Sequence, residues 1–449
     1  MQLPANTNRA IEQRRKRSRW LANTVLLLLA ASLTLIFLHW RHEENLDSHV
    51  PEFIALALLA GGLYLAGVLV VERFALDRVA LFIIIASSLG YRLFLLPVKP
   101  PLSDDIYRYQ WEGRVERVSI NPYTVYPASA GLAKLQDPAH PLKTGIRTPA
   151  VYPPLTELTF SFIRTIAGYK RLFTVFDLAT FFVLWWILAL LKQPPHRILI
   201  YGWNPTVIVS FALCGHYDSL AIFTMMLAFV LLAVRKPLAS HIFLALSFVS
   251  KFYALVLLPP FLKRTRWPYV GAFAGVAALA YLPFAGAGAN LFRGFSEYAA
   301  RWEGNASLFR VIRLAFATKS EAEFAVATIV FGLVAYAIWK QAPLLRAGLF
   351  LTAGILLLSP NAFPWYFTWT VPFLCFLPNA PWLLMTVTCV LGYSPVVAYV
   401  AGQPYRDSSL ILALEYAPVI GWLAYQACRA LANRSAAPAS RSAATSDLL

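Results

Sequence analysis

Apolar residues in this chain fall into long runs separated by short basic segments, as in Val25 to Leu38 and Leu220 to Val234. A run of about 20 such residues spans a hydrocarbon core, because a helix satisfies its own backbone hydrogen bonds where water cannot. From a cytoplasmic N-terminus, runs near 21–40, 52–71 and 79–96 make three crossings and leave the segment from Pro97 to about Leu155 outside. Further spans fall near 172–191, 198–215, 219–234, 269–285, 321–339, 345–358, 364–378, 381–399 and 410–427.

Two stretches do not fit a simple crossing. Thr156 to Gly168 is short and polar with Arg164 near its centre, and reads as an interfacial helix. Pro237 to Leu262 joins two inner points with room only for two half-helices, and Lys251 falls near their junction. A broken helix with a charge at membrane depth is tolerated only where it lines a cavity or the protein interior. The pattern predicts an all-α polytopic bundle of about twelve transmembrane helices plus interfacial and broken helices. Its parts are a basic N-terminus over 1–20, a membrane domain over 21–428 with a large outer loop at 97–155, and a disordered cytoplasmic tail over 429–449.

Composition agrees, with 59% hydrophobic residues and 14% charged over 449 residues, too little charge to cover a soluble surface. The net charge of +17 does not indicate nucleic acid, because the cations cluster between the apolar runs. Arg14, Arg15, Lys16, Arg17 and Arg19, then Arg235 and Lys236, then Lys263, Arg264 and Arg266, then Arg429, Arg434 and Arg441 follow the positive-inside rule. They place both termini in the cytoplasm, beside anionic lipid. The first run is too long for a signal peptide and lacks a small-residue cleavage site. Cys214, Cys375, Cys389 and Cys428 lie in or beside apolar runs without metal-ligand spacing. No nucleotide-binding fingerprint occurs in an inner segment.

The unusual polar and aromatic residues gather on the outer side, which is where an active site is expected. Ser103 to Val118 reads as a helix with Asp105, Tyr109 and Glu112 on one face and Asp104 spaced to pair with Arg108. Of two carboxylates at a helix start, one caps exposed N–H groups while the other stays free to accept a proton. His216, Lys251, Arg301 and Arg108 are the cations available to meet a departing phosphate, with Asp218 placed to orient His216. Asp177, inside the 172–191 span, is expected to pair with Lys170 or Lys251. Asn305-Ala306-Ser307 fits a glycosylation sequon by chance.

Seven stretches in order carry a family resemblance: Ser103 to Tyr123, Tyr152-Pro153-Pro154, Trp203-Asn204-Pro205, Gly215-His216-Tyr217-Asp218, Lys251-Phe252-Tyr253, Trp302-Glu303-Gly304-Asn305 and Pro364-Trp365-Tyr366. Together they resemble the GT-C membrane glycosyltransferases, above all the bacterial polyprenyl-phosphate-sugar-dependent mannosyltransferases. Asp105, Arg108, Tyr109 and Arg114 match the spacing of a first-loop motif in related aminoarabinose-type transferases, with Ile106 in place of its second acid. Relatives often carry His before Pro-Trp-Tyr, and here that position is Phe363.

The resemblance implies inverting transfer of a single sugar, mannose, from a polyprenyl-phosphate donor to a lipid or glycan acceptor. The active site would lie on the periplasmic side of a bacterial inner membrane. Asp105, or its neighbour Asp104, would be the catalytic acid residue. His216, Lys251, Arg108 and Arg301 would meet the donor phosphate, and Tyr109, Arg114, Tyr152, Asp218, Trp302, Trp365 and Tyr366 would hold substrate. A divalent cation is an optional cofactor, since family members differ, and the sequence names no ligands for it. A flippase of lipid-linked sugar and a surface-polysaccharide polymerase or ligase are the rival readings.

Overall fold

The computed structural model describes residues 5–142 and 144–436. It shows an all-α polytopic membrane protein, whose extended pairing among the described residues is confined to an isolated bridge between Gly304 and Asn361. The side chains of Arg14, Arg15, Lys16, Arg434 and Arg441, and residues 437–449 of the expected disordered tail, lie outside the described residues. The part of that tail before them continues a helix.

In chain order the main helices are α1 (Ala5–His42), α2 (Val50–Arg73), α3 (Arg78–Leu95), α4 (Asp105–Arg117), α5 (Pro154–Phe162), α6 (Ile166–Leu190), α7 (Asp218–Ala233) and α8 (Pro237–Phe248). There follow α9 (Tyr269–Tyr281), α10 (Arg293–Arg301), α11 (Lys319–Trp339), α12 (Leu344–Leu358), α13 (Ala380–Thr388), α14 (Pro395–Val400) and α15 (Ser409–Ala436). Among the described residues eight helical stretches are long and apolar enough to cross a membrane, and α7, α8, α12 and Phe252–Leu262 are shorter apolar helices. α1 packs on α2 and α3, α7 on α6 and α8, and α13 on α15.

Several runs that read as single spans are broken, and proline explains where. The 198–215 run is helical over Leu199–Gly202, turns at Trp203 and Asn204, resumes at Pro205–Ile208 and widens into a π-type turn at Val209–Leu213. Pro205 has no N–H to donate back, and the Asn204 side chain caps the new helix by accepting from the Val207 N–H. Pro364 starts the 364–378 run as a tight helix and Pro372 interrupts it in the same way, while the 381–399 run stays one helical stretch that tightens at Cys389–Tyr393 before Pro395. The predicted break in Pro237 to Leu262 is present: α8 ends, Lys251 is extended at φ −154°, and a tight helix runs over Phe252–Leu257.

Asp177 pairs with neither lysine. Its carboxylate takes Arg92 Nε at 2.6 Å and Arg92 Nη2 at 3.2 Å, and the same guanidinium donates to the carbonyls of Ser88 and Gly202. Arg92 sits on α3, one span away in sequence but adjacent in space, and both side chains are fully buried. Lys170 instead caps the end of α3, donating to the carbonyls of Leu95 and Val98. The sequon is closed to modification: Asn305 is buried, and its amide donates to the Ala362 carbonyl at 2.7 Å and to Glu415 on α15 at 2.8 Å. These bonds hold the 302–305 loop against the 359–363 loop.

A small cluster of Ile106, Tyr107, Tyr109, Phe160, Tyr169, Phe173 and Tyr217 packs α4 onto α5 and α6, separate from the main core. Gly113 permits the contact. A Cβ there would stand 2.3 Å from the Phe160 carbonyl oxygen and 2.8 Å from the Tyr169 hydroxyl. Gly113→Ala must therefore push α4 off α5, at about 1–3 kcal/mol for overpacking. The expected result is a lower melting temperature together with weaker activity, because α4 carries the candidate base. A variant melting with the wild type would show that the two helices do not meet at this distance.

Candidate active site

The N-terminal end of α4 opens into a cavity of about 770 Å³. Asp104, Asp105, Arg108 and Tyr109 reach it from α4, and Tyr152 from the loop before α5. Lys251 and Tyr253 come from the broken helix, and Tyr298 and Trp302 from α10 and its end. Trp365, Tyr366 and Trp369 complete the wall from the Pro364–Trp369 turn. Several separate segments supply these groups: the start of α4, the loop before α5, the broken helix at Lys251, the end of α10 and the Pro364–Trp369 turn.

Asp105 is the first residue of α4, and its backbone N–H donates to the Ser103 hydroxyl at 3.2 Å. Its carboxylate is one-third exposed and lies 3.7 Å from Nδ1 of the buried His216. Burial pushes the Asp105 carboxyl up to about 7, Asp104 and Asp218 push the same way, and Lys251 opposes them. A carboxyl in that range is matched to proton transfer near neutral pH.

Lys251 lies opposite in an aromatic box. Its Nζ is 2.9 Å from Asp218 Oδ1, 4.4 Å from the Tyr217 ring centre, 4.5 Å from that of Tyr366 and 5.4 Å from that of Trp369. Trp369 Nε1 donates to the same Asp218 oxygen at 2.8 Å, which fixes the buried carboxylate beneath the lysine. An ammonium has three donors, so the bond to Asp218 leaves two N–H groups to share between the ring faces and an anion in the cavity.

His216 is fully buried behind the cavity wall, its ring flat on Trp365 at 4.0 Å, and among the described residues neither ring nitrogen has a hydrogen-bond partner. Burial, reinforced by Lys251, holds its pKa well below the ordinary value, so the ring is neutral. It reaches the cavity through Asp105 and Trp365 rather than by direct exposure. Phe363, at the position where relatives carry His, stacks on Trp365 at 4.9 Å and extends this column of rings.

Arg108 does not pair with Asp104. It donates from Nε to Glu112 at 2.7 Å and from its two terminal nitrogens to the carbonyls of Gly145 and Thr148. Asp104 stands at the N-cap position of α4 but makes no side-chain cap bond there, so the expected division into a capping and a free carboxylate does not hold. Its oxygens accept from the hydroxyls of Thr144 and Tyr399 instead. Arg114 donates to the Leu135 carbonyl, away from the cavity lining. Arg301 is two-thirds exposed beside Glu297 and also lies off the cavity. Asp218 is buried below Lys251 and acts on the cavity through it.

Phe295, Tyr298, Trp369 and Tyr399 line the cavity but were not singled out in sequence. Trp369 and Tyr399 stand in apolar runs where an aromatic residue is ordinary, and Phe295 and Tyr298 lie on the more polar α10. Tyr298 lies four residues before Trp302, and their rings stack at 5.8 Å, a spacing that could have flagged it. Among the described residues no group of three or more His, Cys, Asp or Glu is placed to hold a metal ion.

Residues 20–264, more than half of the chain, match the family model for the alpha-(1->6)-mannopyranosyltransferase N-terminal domain. The matched region carries Asp105, Tyr152, His216, Asp218 and Lys251, and the remainder supplies Tyr298, Trp302, Trp365, Tyr366 and Trp369. A search of curated proteins finds no match.

Proposed function

The chain belongs to the alpha-(1->6)-mannopyranosyltransferase family, and from that premise we propose that it moves one mannose from a polyprenyl-phosphate donor to a lipid or glycan acceptor at the periplasmic face of a bacterial inner membrane. The observation that carries the reading is that the Asp105 carboxylate and the Lys251 ammonium line one cavity of about 770 Å³ walled by aromatic rings.

In the proposed reaction Asp105 takes the proton of the acceptor hydroxyl as its oxygen attacks the anomeric carbon. The bond from that carbon to the lipid-phosphate oxygen breaks, and its electron pair leaves with the phosphate, inverting the configuration. Lys251 meets the new phosphate charge, in the way preorganised cations stabilise a leaving group. Asp218 and the three ring faces hold the ammonium in place beforehand. Tyr109, Tyr152, Trp302, Trp365 and Tyr366 present ring faces and hydroxyls along the cavity wall, suited to a pyranose. His216 supports Asp105 from behind, and Arg108 keeps the cavity rim in shape.

Proteoliposomes given radiolabelled polyprenyl-phosphate mannose and a mannan-type acceptor test the reading, with label expected in the acceptor. Label crossing the bilayer without bond formation would favour a flippase instead.

The pH dependence has a defined sign. The base must be ionised, and its pKa is raised, so transfer is lost as pH falls through about 7 and saturates above it. Measured from about pH 5 to about pH 9, kcat/KM should rise tenfold per unit on the acid limb. A flat profile over that range would remove Asp105 as the titrating base.

A further inference from the structure

Adjacent carboxylates at a helix start invite the view that both serve the chemistry, but their surroundings separate them. Asp105 has its oxygens open to the cavity. Asp104 has its oxygens engaged: the Thr144 hydroxyl stands 3.1 Å from Oδ2 and 3.3 Å from Oδ1, and the Tyr399 hydroxyl donates to Oδ2 at 3.2 Å.

Thr144 opens the 144–153 segment, which runs along the cavity and delivers Thr148, Val151 and Tyr152 to its wall. Tyr399 belongs to α14, which is 295 residues away from Asp104 in sequence. One carboxylate at the start of α4 therefore joins two cavity-lining segments that are far apart in the sequence, one 40 and the other 295 residues from it. Arg108, one turn further along α4, reinforces the first segment through the Gly145 and Thr148 carbonyls, at 2.9 and 2.7 Å. Gly145 takes φ +60°, the left-handed conformation that turns the chain so its carbonyl meets Arg108.

We propose that Asp104 is a positioning residue that ties the 144–153 segment to α14 at the cavity rim, leaving Asp105 as the carboxylate presented to the acceptor. The inference rests in part on Asp105 being the base, but the tie itself is measurable without any turnover.

The experiment combines amide hydrogen exchange with steady-state kinetics on the full-length protein in proteoliposomes. Asp104→Ala, and separately the pair Thr144→Val with Tyr399→Phe, should raise exchange in 144–153 and 395–400 by about tenfold, the scale of one lost hydrogen bond to a charged group. Both should raise the acceptor KM by a similar factor, keep most of kcat and leave the acid limb of the pH profile in place. Asp104→Asn retains an oxygen that accepts from both hydroxyls and should behave close to the wild type. If Asp104→Ala does not fold, the Thr144 and Tyr399 pair carries the test alone.

Exchange unchanged when the two hydroxyls are removed would overturn the tie. Loss of kcat in Asp104→Asn with exchange unchanged would place Asp104 in the chemistry instead. If no variant or wild type transfers sugar, the exchange result still decides the tie while the functional reading fails on its own.

Discussion

Asp105→Asn is expected to lower mannosyl transfer by about 10²–10⁴-fold, the range lost with a general base, and to leave the melting temperature equal or higher. The substitution keeps size and removes the proton acceptor. Among the described residues the carboxylate is engaged weakly, by the Ser103 hydroxyl and by His216 at 3.7 Å, and an amide oxygen can keep the first contact. The desolvation that pushes the carboxyl up to about 7 is an unfavourable contribution to the fold, so a neutral amide relieves it. A destabilised residue that activity requires is the usual trade at a catalytic position. The decisive comparison is turnover at saturating donor above pH 8, where the wild-type carboxylate is ionised. Turnover equal to wild type in Asp105→Asn would end the general-base mechanism, and a large fall in melting temperature would make the loss structural.

Asp177→Ala is expected to have the largest effect on stability, about 3–5 kcal/mol, the range for removing one partner of a buried ion pair. The Arg92 guanidinium would keep its bonds to the Ser88 and Gly202 carbonyls but lose its counter-charge while fully buried. In the apolar interior of a bundle an uncompensated cation is costlier than the missing bond alone. Replacing both partners, Arg92→Met with Asp177→Leu, should recover most of the loss, because the pair's own desolvation disappears with it. Thermal unfolding in detergent measures both. A single variant as stable as the wild type would mean that water reaches this pair. Neither side chain touches the cavity, so any fall in activity should track the fraction folded.

The pairings show where sequence reading stops. Asp177 and Lys251 were each recognisable as charges that an apolar run tolerates only when paired. Their partners were not, since Arg92 and Asp218 are chosen by which helices pack together, and that is a property of the whole bundle. Arg108 illustrates the same point within one helix. Asp104 and Glu112 are each four residues from it, and only the position of the 144–148 carbonyls selects Glu112. The placement of His216 was likewise out of reach, because a histidine at the end of an apolar run reads the same whether its ring faces a cavity or a tryptophan.

The local order of residues determined the polytopic class, the break near Lys251 and a helix within Ser103 to Val118, because each follows from hydropathy and side-chain pattern over a few neighbours. It also contained the stretches that carry the family resemblance. Tertiary structure alone decided which breaks meet around one cavity, which of two adjacent carboxylates is free, and which aromatic rings surround Lys251. Hydrocarbon treats every apolar ring alike, so identity along the chain cannot distinguish a ring facing lipid from one facing substrate. That distinction arises only when the helices close on one another and leave a space between them.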